Sequence, residues 1–290
     1  MEIKEVVAKS ILTPSKLPDA DFVVNPYTGC RFGCIYCYAS FMCRYVGKDI
    51  NDWGEFVYVK TNAAELLKTA VLKLKNKGIG KRILFSSVTD PYQGVEAKYQ
   101  ITRKCLEVLV DADYQGLVSI LTKSDLVLRD IDLFQKLKNI EIGLTITSFE
   151  DGISRYFEKY APNVTQRFEA LRKLNSEGLK TYAFVGPLLP HFVAYPEKLD
   201  ELFKKIKETG TNDIYVEHIN LSTYILNRLK KEAVGLDKAV LEKFYSSKNK
   251  DYRDQLDLII KDCVKKHQLN IRLESAIYHK ESLNSANITL

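Results

Sequence analysis

The chain runs to 290 residues, 46% hydrophobic and 28% charged, with 14 Gly and 8 Pro, a composition of ordinary globular domains that excludes disordered, fibrous and disulfide-scaffold classes. Its 43 basic and 37 acidic residues leave a net charge of +6 with the signs interspersed, so no basic stripe marks a dedicated nucleic-acid binder. The N-terminus carries no secretory core, and the longest apolar stretch, 183–195, is broken by Pro187, Pro190 and His191 and is too short to cross a bilayer; a soluble, cytoplasmic protein with no membrane partner is expected.

Short β-rich runs alternate with longer amphipathic segments. In chain order the pattern predicts a strand over 22–26, a helix over 63–77, a strand over 82–88 and a helix over 102–111. A strand over 118–122, a helix over 130–137, a strand over 140–147 and a helix over 165–177 follow. Strands over 181–185 and 213–219 flank a helix over 197–208, and a weaker strand is expected over 270–273. Several strands are apolar throughout, as when both faces of a parallel sheet are buried. Gly78, Gly178 and Gly210 follow helical segments where a left-handed cap is wanted.

This order is the signature of a parallel sheet with right-handed crossovers. The expected fold class is α/β: a partial TIM-type (β/α)6 barrel over 1–223 with a helical C-terminal extension over 224–290 packed on it. Periodicity alone does not separate the barrel from an open doubly wound sheet. Residues 224–268 read as two or three helices, ending in one over 255–267.

Four of the six cysteines, Cys30, Cys34, Cys37 and Cys43, fall close together just after the first predicted strand, a clustering that points to a metal site. Cys30-Arg31-Phe32-Gly33-Cys34-Ile35-Tyr36-Cys37 places three thiolates at spacings of four and three. Three thiolates suit a four-iron cubane with one iron left open. Gly29 and Gly33 supply the positive φ and close approach that a loop around a cluster needs. Two alternatives use the same residues: a zinc-stabilised nucleic-acid-binding protein with Cys43 as fourth ligand, and a cluster that only senses or relays electrons.

Barrel enzymes build their sites at the C-terminal ends of the strands. Those ends here carry Ser86-Ser87, Thr89-Asp90, Thr122-Lys123-Ser124, Thr147-Ser148, Gly186-Pro187 and Glu217-His218. Alternation turns only one of Glu217 and His218 inward. Arg129 and Asp130 read as structural, with Asp130 placed as a helix N-cap.

The CxxxCxxC motif with Tyr36 before its last cysteine resembles the hallmark of the radical S-adenosylmethionine superfamily. Asn25-Pro26-Tyr27-Thr28-Gly29-Cys30 and Tyr36-Cys37-Tyr38-Ala39 resemble its spore photoproduct lyase-like (DNA repair photolyase-like) branch. So do Ser86-Ser87-Val88-Thr89-Asp90-Pro91-Tyr92-Gln93, Thr102 to Glu107, and Leu121-Thr122-Lys123-Ser124 with Leu128-Arg129-Asp130; the likeness covers about 9–189.

The resemblance implies a [4Fe-4S] cluster on Cys30, Cys34 and Cys37 that reductively cleaves S-adenosylmethionine to a 5′-deoxyadenosyl radical, with a flavodoxin or ferredoxin as electron donor. It implies Tyr36 near the adenine, Ser86 and Ser87 at the methionyl amino group, and Asp90 orienting their loop. Lys123 then pairs with the methionyl carboxylate or a ribose hydroxyl, Ser148 lies near the ribose, and Val185 and Gly186 offer backbone to the adenine. Cys43, close behind the cluster loop, is a candidate hydrogen-atom donor, whereas Cys105 and Cys263 read as buried helix residues. The branch name invites a thymine-dimer lyase. The weak basic character does not favour nucleic acid, and a peptide or small metabolite is expected instead.

Overall fold

A computed structural model describes residues 1–232 and 238–279; the remainder of the expected C-terminal extension lies outside the described residues. The strands are β1 (Glu2–Val6), β2 (Leu12–Pro14), β3 (Phe22–Val24), β4 (Tyr27–Thr28), β5 (Phe56–Lys60) and β6 (Arg82–Phe85). They continue with β7 (Leu117–Thr122), β8 (Asn139–Thr145), β9 (Thr181–Leu188), β10 (Asp213–His218) and β11 (Asn270–Ile271). The helices are α1 (Ala63–Val71), α2 (Glu96–Tyr99), α3 (Ile101–Asp111), α4 (Ile131–Phe134) and α5 (Asp151–Phe157). After them come α6 (Val164–Ser176), α7 (Pro196–Glu208), α8 (Thr223–Glu232), α9 (Lys238–Ser246) and α10 (Lys250–Lys266).

The main sheet has the order β11-β10-β9-β8-β7-β6-β3-β2. All its pairs are parallel except β2 with β3. The six long-range parallel strands expected from the sequence, β3 and β6 to β10, therefore lie side by side in chain order. The choice between barrel and flat sheet is decided at the N-terminal ends. Five steps of about 4.8 Å would hold β3 and β10 roughly 24 Å apart in a flat sheet. Yet the Tyr215 hydroxyl on β10 donates to Asp19 Oδ2, just ahead of β3, at 2.6 Å. The sheet is curled into a partial barrel.

Polar groups plug its floor. Arg272 donates to both oxygens of Glu141 on β8 at 3.1 and 2.9 Å, and to Asp213 Oδ2 and Tyr215 Oη at 3.0 and 3.2 Å. Helices cover the outside with apolar stripes: α7 buries Leu199, Leu202, Phe203 and Ile206 at helical spacing. In the extension, Phe244 of α9 packs on Phe157 with centroids 5.9 Å apart, and the Tyr252 hydroxyl of α10 donates to the Pro190 carbonyl.

Three local expectations change. The helix over 63–77 stops at Val71, and Gly78 at φ +79° ends a separate 3-10 turn. The segment over 130–137 is a 3-10 turn, Asp125–Asp130, followed by the short α4. A second sheet, β1-β5-β4, was not foreseen; it carries the chain from the cysteine loop back beneath itself.

Candidate active site

The C-terminal ends of the barrel strands surround a cavity of about 470 Å³. Cys30, Cys34, Cys37, Tyr36, Ser86, Ser87, Asp90, Lys123 and Gly186 all line it, so nine residues named from the sequence meet in one place.

The cysteine loop leaves β4 through Gly29, at φ +85°, where an added Cβ would lie 2.4 Å from the Phe56 carbonyl oxygen. No other residue fits that backbone. From there the loop is tied to the segment after β6. Asn25 Oδ1 accepts the Ser87 and Val88 amides at 3.0 and 3.1 Å. Thr89 Oγ1 donates to the Gly29 carbonyl at 2.6 Å, and Gln93 bridges it to the Arg31 amide at 2.8 Å. Two sequence blocks some sixty residues apart thus form one wall.

Asp90 holds that wall to the next strand. Its carboxylate accepts the Thr122 hydroxyl at 2.6 Å, the Lys123 amide at 2.9 Å and the Tyr92 amide at 2.9 Å. Burial pushes its pKa up against the pull of these bonds. The Lys123 ammonium, which this arrangement projects into the cavity, lies 5.8 Å from the Tyr36 ring centroid. It forms no hydrogen bond among the described residues. Burial lowers its pKa, but Cys34 and Glu158 outweigh that and hold it above the usual lysine value.

Tyr36 is anchored by a pair the sequence did not disclose. Its hydroxyl donates to Glu158, which is fully buried in an ion pair with the equally buried Arg167. Glu158 also accepts the Thr147 hydroxyl at 3.1 Å, and Arg167 donates to the Thr145 carbonyl at 3.1 Å. Burial raises the Glu158 pKa, yet Arg167 and Lys123 outweigh it and keep the carboxylate ionised.

The three loop cysteines are free thiols, Cys30 and Cys34 buried and Cys37 partly so. Burial raises the pKa of all three. Asp90 and the two neighbouring thiols add to the rise at Cys30; at Cys34, pushed up to about 12, Lys123 opposes it. Three sulfurs lining one cavity become thiolates when a cationic centre takes their protons' place. The wall also offers a donor with no partner among the described residues: the buried Trp53 indole N–H, beside Cys37. Both features fit an iron–sulfur cluster with sulfur acceptors. Among the described residues no three His, Cys, Asp or Glu side chains converge on a single-ion site.

Three expected site residues fall elsewhere. Cys43 is fully buried in the 3-10 helix Tyr38–Val46, outside the cavity, with Asp52 and Arg228 as its charged neighbours. Its thiol is not among the groups that line the cavity with the other three. Ser148 is buried with its Oγ accepting the Glu150 amide at 3.0 Å, and Val185 packs in the core. Neither lines the cavity. Asp130 does not cap its helix; its carboxylate takes Arg103 and Arg129 at 2.8 Å and the Tyr92 hydroxyl at 3.0 Å. Of the last strand pair, Glu217 faces the cavity and pairs with His279 at 2.9 Å, while His218 turns away between Tyr252 and Tyr278. Gly186 leaves room for Glu217, whose Cβ would be 2.7 Å from an added methyl.

The family model of the radical SAM superfamily matches residues 24–193, more than half of the chain and all the strand ends from the cysteine loop to β9. The chain belongs to the radical SAM superfamily. It is accordingly a radical SAM enzyme, using a [4Fe-4S] cluster and S-adenosylmethionine. An uncharacterized protein of Methanocaldococcus jannaschii is 39% identical over 76% of this chain and 79% of its own. A radical SAM Nalpha-GlyT isomerase of Pseudomonas phage M6 is 25% identical over 68% of this chain and 39% of its own. Among solved structures, a spore photoproduct lyase complexed with dinucleoside spore photoproduct superposes with TM-score 0.70 at 16% identity, covering 93% of this chain and 80% of that one. That likeness establishes the shared fold of this radical SAM chain. No helix among its described residues is long and apolar enough to cross a membrane.

Proposed function

We propose that Cys30, Cys34 and Cys37 hold the cluster by three irons, and that the cavity above them binds S-adenosylmethionine against the open one. The observation that carries this reading is a trio of thiols sharing one cavity, where no fourth cysteine stands, with a lysine that makes no hydrogen bond among the described residues. A cluster so held supplies the electron that breaks the sulfonium–C5′ bond.

This chain's residues do the rest. Lys123 presents its ammonium to the methionyl carboxylate, a charge-assisted contact that also fixes the sulfonium's orientation. Ser86 and Ser87 offer acceptors to the amino group, in a loop that Asp90 holds still. Tyr36, locked by Glu158, walls the adenine side against water. Gly186 lets backbone approach that side while Glu217 keeps its place. From the extension, Tyr224 donates to the carbonyl of Tyr38, a cavity residue, at 2.9 Å, and Phe244 packs on Phe157 behind Tyr36. The electron comes from a flavodoxin or ferredoxin, and six free cysteines suit a reducing cytoplasm.

The substrate occupies the outer half of the cavity, among Phe184, Glu217 and Asn220. A carboxylate there, with Lys123 committed to the cofactor, supports a peptide or small metabolite over a polyanion. A second reading, a nucleic-acid lesion lyase, is favoured by the likeness in fold to spore photoproduct lyase. Anaerobically reconstituted protein with dithionite tests both. The primary reading expects 5′-deoxyadenosine, lost in each of Cys30→Ala, Cys34→Ala and Cys37→Ala, and it fails if the parent forms none. Repair of thymine-dimer DNA in the same incubation would establish the second.

A further inference from the structure

Trp53, the chain's single tryptophan, stands between Asp52 and Gly54 where the loop returns to β5. Its ring is 4% exposed and packs edge-on against Phe56, centroids 6.3 Å apart at 81°. Its loop is clamped to the cysteine loop at two points. Gly54, at φ +102°, approaches so closely that an added Cβ would lie 2.9 Å from the Gly33 Cα, and Arg31 Nη1 donates to the Gly54 carbonyl at 2.9 Å. The result is a rigid placement of the indole against the cavity wall beside Cys37.

The indole N–H is buried and has no hydrogen-bond partner among the described residues. A buried donor left unmade is costly, so such a group is retained where a ligand completes it. It lines the same cavity as Cys37. In a cavity whose nearest new acceptors are sulfurs, the completing ligand is the cluster.

Resting on the cluster reading above, we propose that Trp53 donates its indole N–H to the cluster's sulfur shell on the Cys37 side and thereby raises the cluster's reduction potential. Reduction adds negative charge to the sulfurs, so a donor there stabilises the reduced form more than the oxidised one. The group acts on the ease of receiving the electron, ahead of any step at the substrate.

The test compares the reconstituted parent with Trp53→Phe and with a variant carrying benzothienylalanine at position 53, which keeps the bicyclic shape and replaces N–H by sulfur. Iron content and potential, the latter by EPR-monitored redox titration, are read for each. Both substitutions are expected to shift the one-electron reduction equilibrium about tenfold towards the oxidised form, a fall of about 59 mV. Unchanged potentials in loaded variants overturn the proposal and leave the cluster reading standing. A fall in Trp53→Phe that the benzothienyl variant does not share assigns the effect to ring volume and overturns it too. A parent that takes up neither iron nor sulfide refutes the cluster reading and this inference together.

Discussion

Replacing Lys123 by methionine removes a charge from the cavity while nearly preserving side-chain length. The ammonium makes no hydrogen bond among the described residues and stays charged because Cys34 and Glu158 outweigh the burial that lowers its pKa. On the proposed reading its one strong contact in the working enzyme is the methionyl carboxylate. A hydrogen bond to a charged partner is worth about 1.5–3 kcal/mol, so S-adenosylmethionine should bind roughly 10- to 150-fold more weakly to Lys123→Met. Because the folded-state pKa lies above the ordinary lysine value, this contribution is constant through neutral pH and fades only in strong alkali. Equilibrium dialysis against the cluster-loaded variant measures it, with iron content checked alongside, since Lys123 also opposes the rise in thiol pKa at Cys34 and Cys37. A fully loaded variant that binds within threefold of the parent would refute the role given to this lysine.

Three further outcomes follow from the geometry. Cys43→Ala should keep its cluster and lose only about 1 kcal/mol of stability from a small buried void, whereas a zinc protein using that thiol would lose its metal; iron and zinc analysis separates the two. Gly29→Ala should lower cluster loading and cost at least about 1–3 kcal/mol in denaturant unfolding, because φ is +85° and the new methyl meets the Phe56 carbonyl. Glu158→Gln should cost about 3–5 kcal/mol by leaving Arg167 buried without its counter-charge. The folded-state pKa of Glu158 is held below the ordinary glutamate value, so its stabilisation is full above that value and disappears as pH falls through the folded pKa. Acid unfolding of Glu158→Gln should therefore be flatter than the parent's below about pH 4.5.

What could be read from the residues divides along physical lines. Buried parallel strands are near-continuous apolar runs, so the order of β3 and β6 to β10 was visible, as was the polar crowding at their C-terminal ends. The cysteine spacing is local and carried its own chemistry. The small sheet was hidden because β1 is mostly exposed and polar and pairs with β5 across more than fifty residues. Glu158 and Arg167 look like ordinary helix charges, and nothing local distinguishes a surface pair from a buried one. Ser148 does not line the cavity because at a strand end one residue more or less reverses a side chain, Cys43 because a 3-10 turn directs it into the core, and Val185 turns its side chain into the core, which leaves the backbone contact expected of it untouched. Asp130 shows the opposite error, a local capping role assigned to a carboxylate that adjacent Arg129 and distant Arg103 and Tyr92 had taken. Whether the sheet closed depended on a contact between Asp19 and Tyr215, residues far apart in sequence.

The central claim is a cluster gripped by three cysteines with one iron open to the cofactor. The Mössbauer spectrum of protein reconstituted with enriched iron, recorded before and after adding S-adenosylmethionine, tests it directly. One iron distinct from the other three, whose signal moves when the cofactor binds, is the predicted result. Equivalent irons that ignore the cofactor would contradict the account.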